Sequence, residues 1–146
     1  MIIMMPTKEL IDDIIEYYSG KTELSDVNFI AEFPGKRHDL PLRGKIVSVG
    51  VDKVNIFPAE DAVKLEYNKS PATMRVKMCI CAPATTNGAD VYNVLDRILG
   101  NSGILISLWK VAGIDTGELK YSNSIAGLLL PVFITFNISN MFGNIA

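Results

Sequence analysis

The sequence is short of the residues that carry chemistry. Among its 146 residues there is one histidine, His38, and there are only two cysteines, Cys79 and Cys81. Three such ligands are too few for a closed structural zinc site within one chain, which takes four. The cysteines lie two apart on one expected strand, where their side chains share a face but splay along it. A mutual disulfide is therefore disfavoured, and reduced thiols are the simplest expectation. Charge of one sign is scarce as well. Fourteen basic residues stand against sixteen acidic ones, a net charge of −2, with no basic block that could neutralise a row of phosphates. Nucleic-acid binding and readout are disfavoured on that ground. The longest apolar run, residues 125–136, is interrupted by Gly127, Pro131 and Thr135 and falls short of the roughly 20 residues that a membrane helix needs. No membrane helix is expected. The apolar start at residues 1–5 has no basic leader and is cut by Pro6 and Lys8, which makes a poor signal peptide and predicts a protein that stays in the cytoplasm. Phosphate-loop and dinucleotide-fingerprint spacings do not occur, and no internal repeat is visible.

What is present is apolar and patterned. Apolar residues make up 49% of the chain, and the mean hydropathy of +0.25 lies on the apolar side for a free-standing monomer. Neighbouring subunits could cover the excess. The length suits one domain, residues 1–146, with a real core.

The clearest pattern is at the centre. Met74, Val76, Met78 and Ile80 alternate with Arg75, Lys77, Cys79 and Cys81, a period of two that predicts a strand with unequal faces. After a break at residues 82–88 the spacing becomes Val91, Val94, Leu95, Ile98, Leu99, the stripe of an amphipathic helix. Upstream, Leu10, Ile11, Ile14, Ile15 and Tyr18 predict a first helix opened by Pro6 and capped by Thr7, with Gly20 as its stop. Val27, Phe29 and Ala31 predict a strand that ends at Phe33-Pro34-Gly35. Residues 36–44 read as a surface loop. Residues 45–57 read as a strand whose apolar parity changes near Asp52-Lys53, which a bulge would reconcile. Residues 59–71 have no period and read as a long arm or flap. Gly100-Asn101-Ser102-Gly103 predicts a helix end built on glycines with positive φ. Two closing strands are expected at about residues 105–112 and 125–138. The second is the most apolar in the chain and is expected to lie centrally against the helices, followed by a loose tail at 139–146.

Each candidate for chemistry has a plainer explanation. His38 is followed by Asp39, but neighbours in a loop do not face each other by default, and no Ser or Cys is tied to them by motif. Asp12, Asp13 and Glu16 could bind a hard cation, yet a solvated helix face near the N-terminal end of the dipole accounts for them. The turn Thr85-Thr86-Asn87-Gly88 precedes a helix N-terminus, where an anion could sit. Without a phosphate motif it reads as a loop with Asn87 or Asp90 near the cap. Trp109 and Tyr121 are core or interface anchors. No catalytic, cofactor or metal residue is assigned, and the expectation is a non-enzymatic protein.

The order helix, strand, loop, strand, long arm, strand, helix, strand, strand resembles the tail-terminator, or tail-completion, family of long-tailed bacteriophages and prophages. The residues that carry the resemblance are Leu40-Pro41-Leu42-Arg43-Gly44-Lys45-Ile46-Val47-Ser48-Val49-Gly50-Val51, residues 74–83, Gly88 and the helix at 91–99. Residues 1–5 and 137–146 fall outside it. The resemblance implies an α+β fold in which an antiparallel or mixed sheet packs against two helices. It also implies a ring, typically a hexamer, that caps the tail tube and joins it to the head. The partners would be other copies of the chain, the tail-tube protein and a head–tail connector protein. The arm and outer strands would make the contacts, and no catalytic residue would be needed. The setting would be the bacterial cytoplasm during assembly and then the virion tail. Two other readings stay open: a head-completion or neck connector protein, and a small-molecule-binding or enzymatic α+β domain with a pocket between the sheet and the second helix.

Overall fold

The computed structural model describes residues 6–31, 44–56, 72–84, 88–108, 110–123 and 125–138. The first helix, α1, spans Pro6–Ser19 and turns Ile11, Ile14 and Tyr18 inward. Thr7 is not its cap, because Pro6 is already helical. Proline suits the first helical position, where its missing N–H would have no partner in any case. Gly20 closes the helix through its N–H to the Glu16 carbonyl at 3.0 Å. A single 3-10 turn at Thr22–Leu24 then drops Leu24 into the core.

Among the described residues six strands form one open sheet. They are β1 (Val27–Ala31), β2 (Lys45–Ile56), β3 (Ala72–Pro83), β4 (Val111–Thr116), β5 (Lys120–Ser122) and β6 (Gly127–Asn137). The spatial order is β1-β2-β3-β6-β4, with β5 also on β6. Only β1 and β2 run parallel; β2 with β3, β3 with β6, and β6 with β4 and β5 are antiparallel. With α1 and α2 (Ala89–Gly100) packed on the sheet, the chain has an α+β fold with a mixed sheet. The last strand is interior, as its apolar parity predicts.

Two irregularities have local causes. In β2 the register against β3 slips between Val51 and Lys53, a bulge at Asp52 that returns Val54 and Ile56 to the parity of Val47 and Val49. In β6, Pro131 has no N–H for a ladder, yet this strand is flanked on both sides. Its carbonyl accepts from the Gly117 N–H at 2.9 Å, so its missing donor also faces the segment between β4 and β5. There the register slips by one residue, the kind of place where a sheet tolerates proline. Gly117 is needed at that approach, since a Cβ would lie 2.6 Å from Pro131 Cγ.

The strand expected at 105–112 is not formed. Residues Gly103–Leu108 are a short helix, α3, in which the Ile106 N–H reaches the Ser102 carbonyl at 2.9 Å. Leu105 is buried and Ile106 exposed. A short apolar run has no period long enough to separate helix from strand. The strand begins only at Val111, and β5 was not foreseen. The glycine-based stop after α2 is also corrected. Asn101, with φ −102°, ends that helix, and among the described glycines only Gly88 has positive φ. Left-handed backbone falls instead on Lys110 and Ala126, both at φ 50°.

Candidate functional site

Cross-strand partners share a face of a sheet, so the register sorts every strand residue to one side or the other. On one side the rows are Phe29-Val47-Ile80-Leu130, then Val49-Met78-Val132, then Val51-Val76-Ile134-Ile114. These side chains meet Ile11, Ile14, Tyr18, Leu24, Val91, Val94, Ile98 and Leu105 in one cluster. This is the core. The space between α2 and the sheet, where a ligand pocket was one expectation, holds Val91, Val94 and Ile98 with no solvent exposure.

The opposite side carries none of the described helices and changes character along the strands. At one end Ile46, Cys81 and Leu129 form a row; Cys79, Cys81, Ile46, Ile125 and Leu129 pack as a small second cluster. Next come Ser48, Cys79 and Pro131. Then the face becomes charged, with Gly50-Lys77-Phe133-Asp115 and Lys53-Arg75-Thr135-Gly113. The bulge residue Asp52 holds Arg75, at 2.6 Å from Nη2 and 2.7 Å from Nε, while the guanidinium lies 4.6 Å from the centre of the Phe133 ring. Lys53 and Lys77 form no ion pair among the described residues.

The residues singled out by sequence are dispersed. His38, Asp39, Asn87, Trp109, the arm at 59–71 and the tail at 139–146 lie outside the described residues. Cys79 and Cys81 form no disulfide and are both buried, on the sheet face that carries no described helix. Burial, and then the neighbouring Cys79, pushes the Cys81 thiol up to about 12, so it is a protonated, inert group at neutral pH. Asp12 pairs with Lys8 at 2.6 Å; Asp13 and Glu16 are exposed beside it. Among the described residues no three His, Cys, Asp or Glu side chains are grouped to hold a metal. Gly88, at φ 85°, is the cap residue of α2 and makes no side-chain cap bond; Asp90 sits in the first turn. Tyr121 is 58% exposed on β5, and Tyr92, Leu99 and Ile106 are also exposed. Tyr121 is therefore on the surface and outside the core.

Polar contacts tie the layers together. Tyr18 Oη lies 2.7 Å from Ser102 Oγ. Ser102 donates to the Ile98 carbonyl at 2.6 Å, so the tyrosine is the donor of the pair. Its burial pushes the phenol up to about 12. Arg97 of α2 reaches Asp26 Oδ1 and the Glu23 carbonyl, each at 2.6 Å, and Lys45 reaches Asp26 Oδ2 at 2.8 Å. Hydrogen bonds from Arg97 first and Lys45 second hold the Asp26 carboxyl well below the usual carboxylate range. Among the described residues its side-chain partners are Arg97 of α2 and Lys45 at the start of β2.

The cluster of Lys53, Arg75 and Lys77 on one sheet face was not legible in the sequence. The parity of Arg75 and Lys77 was visible in it, but the placement of Lys53 opposite Arg75 depends on the bulge and could not be counted without the register.

The chain matches no family model, and its comparison with curated proteins gives no match. No helix among the described residues is long and apolar enough to cross a membrane.

Proposed function

We propose that this chain is a non-enzymatic structural protein of a phage or prophage tail, a terminator that assembles into a ring, caps the tail tube and joins it to the head. The observation that carries the reading is the sheet face on which no described helix packs. Half-buried Leu129, Pro131 and Phe133 lie there beside Lys53, Arg75 and Lys77, a mixture of apolar and charged groups suited to contact with another protein. The run helix, strand, strand, strand, helix from α1 to α2 keeps the order of the resemblance, and the filled space beneath α2 leaves little room for a ligand there. Its partners are further copies of the chain, a tail-tube protein and a head–tail connector. The setting is the bacterial cytoplasm during assembly and then the virion tail.

The test is the solution mass by light scattering across a concentration series, with the chain alone and with the tail-tube protein of the same genome. A hexamer-sized ring, formed alone or only on mixing, is the expected result. A strict monomer indifferent to the tube protein would overturn the proposal and favour a ligand-binding domain.

A further inference from the structure

An acidic stripe and a pair of cations lie on the two opposite outer surfaces of this two-layer fold. On the helix side, α1 shows solvent a stripe of Glu9, Asp12, Asp13 and Glu16, spaced by three and four residues so that all four point one way. Only Asp12 has a cation, Lys8; Glu9, Asp13 and Glu16 have no ion pair among the described residues. On the sheet side, Lys53 faces Arg75 across the strands and Lys77 is two residues along β3 on the same face. Arg75 is paired with Asp52, and exposed Asp115 lies on this face two strands from Lys77, which leaves Lys53 and Lys77 as the cations without a paired carboxylate among the described residues.

We propose that the sheet face opposite the described helices of one subunit receives the outer face of α1 from a second copy, head to tail, with Asp13 and Glu16 seated over Lys53 and Lys77. Asp13 and Glu16 are separated by about 5 Å along a helix, and Lys53 and Lys77, offset by about 7 Å along the strand and one strand spacing of about 5 Å across it, by about 8 Å; the long lysine side chains span the difference. The half-buried Phe133, Pro131 and Leu129 supply apolar surface next to the cations, so the contact pairs charge around an apolar patch. The geometry favours a cyclic contact over a two-fold pair. An isologous pairing would set sheet face on sheet face or α1 on α1, like charge on like, whereas a heterologous one sets each surface on its complement and uses both once per subunit. The inference rests on the ring reading for its self-association and adds which two surfaces meet.

The experiment uses two reversal variants of the full chain, Lys53→Glu with Lys77→Glu and Asp13→Lys with Glu16→Lys, with circular dichroism to show that each is folded and a Lys53→Gln/Lys77→Gln control that removes charge without reversing it. Sedimentation velocity is run on the wild type, each variant and a one-to-one mixture. Each reversal variant alone should associate at least about tenfold more weakly than the wild type, and the neutral control should fall between. The mixture should recover assembly, because each variant then presents the complement of the other, and an even-membered ring can alternate them. High salt should weaken the wild-type contact. Assembly of both variants at wild-type strength would overturn the inference while leaving the ring reading intact, with its interface elsewhere. Unchanged rings that no longer bind the tube protein would overturn it too, and would assign this face to the tube protein. A wild type that remains monomeric at every concentration overturns it, and mixing with the tube protein then decides the ring reading separately.

Discussion

The two faces of the sheet are made by the same strands and have opposite characters. In β3, Met74, Val76, Met78, Ile80 and Ala82 have no solvent exposure, while Thr73, Arg75 and Lys77 on the other parity remain partly or largely exposed. The first set meets α1, α2 and α3 across a continuous core. The second meets no described helix and grades from buried cysteines to charged groups. One face therefore holds the main core, while the charged end of the other, at Lys53, Arg75 and Lys77, lies outside both buried clusters. Substitutions on the two parities of a single strand should tell the two apart. Met78→Ala should lose about 3 kcal/mol of stability through lost burial and an unfilled cavity. Its neighbour Lys77→Ala should stay within about 0.5 kcal/mol of the wild type. Urea unfolding midpoints of the two variants check this. Equal losses would mean that the sheet face is also core, and the comparison would fail.

A second substitution probes how the helix layer is held at the edge of the sheet. Gly88 precedes α2 at φ +85°, and a Cβ there would come within 2.7 Å of Leu119 Cδ2. Leu119 packs against the main core from the segment between β4 and β5. Gly88→Ala therefore combines backbone strain with a steric conflict, and a loss of about 2 kcal/mol is expected. Thermal unfolding by circular dichroism measures it. A neutral result would show that Leu119 and the start of α2 can move apart freely, which would weaken the view of the helix side as one closely packed unit.

The helix side was largely legible in the sequence, because its information is periodic. The stripes of α1 and α2 and the alternation of β1, β3 and β6 each extend over enough residues to state their period. The parity change in β2 marked its bulge. The region after α2 was not legible. Ile104, Leu105 and Ile106 fit a strand or a helix equally well, and the choice of α3 depends on Leu105 finding the core, a tertiary fact. The left-handed turn positions fell on Lys110 and Ala126, where residue type gives no signal, and not on Gly100 or Gly103. The cluster of cations on the other face was hidden for a different reason. A surface assembled across strands depends on register, so Lys53 becomes the neighbour of Arg75 only once Asp52 has been counted as the extra residue.

A smaller effect is expected where the layers are joined by a buried polar contact. Tyr18 donates to Ser102 and stacks on Phe29 with ring centres 5.7 Å apart. Tyr18→Phe keeps the stack and removes the donor, at an expected cost of about 1 kcal/mol. The variant should unfold in urea with an unchanged slope and a lower midpoint. A cost several times larger would mean that the hydroxyl organises Ser102 and the turn into α3, so that the helix side depends on a polar contact as much as on its apolar rows.

The smallest effect should come from Asp26, and it should depend on pH. The carboxylate binds Arg97 of the helix layer and Lys45 at the start of β2, so it links the two layers at their rim. Its side chain is 49% exposed, and solvent screening limits the pair to about 1 kcal/mol or less. The folded-state value is lowered from 3.8, so the unfolded chain takes up a proton first as the pH falls. The stabilisation is accordingly complete above the unfolded value and declines below it, toward the lower folded value. Asp26→Asn should therefore be slightly less stable than the wild type at pH 7, and the difference should persist to about pH 5 and shrink between pH 4 and pH 2. Paired urea titrations at those pH values would show the convergence. A gap that stayed constant down to pH 2 would mean that the contribution comes from the shape and hydrogen bonding of the side chain, which asparagine replaces imperfectly, and that charge plays no part in joining the helix layer to the sheet.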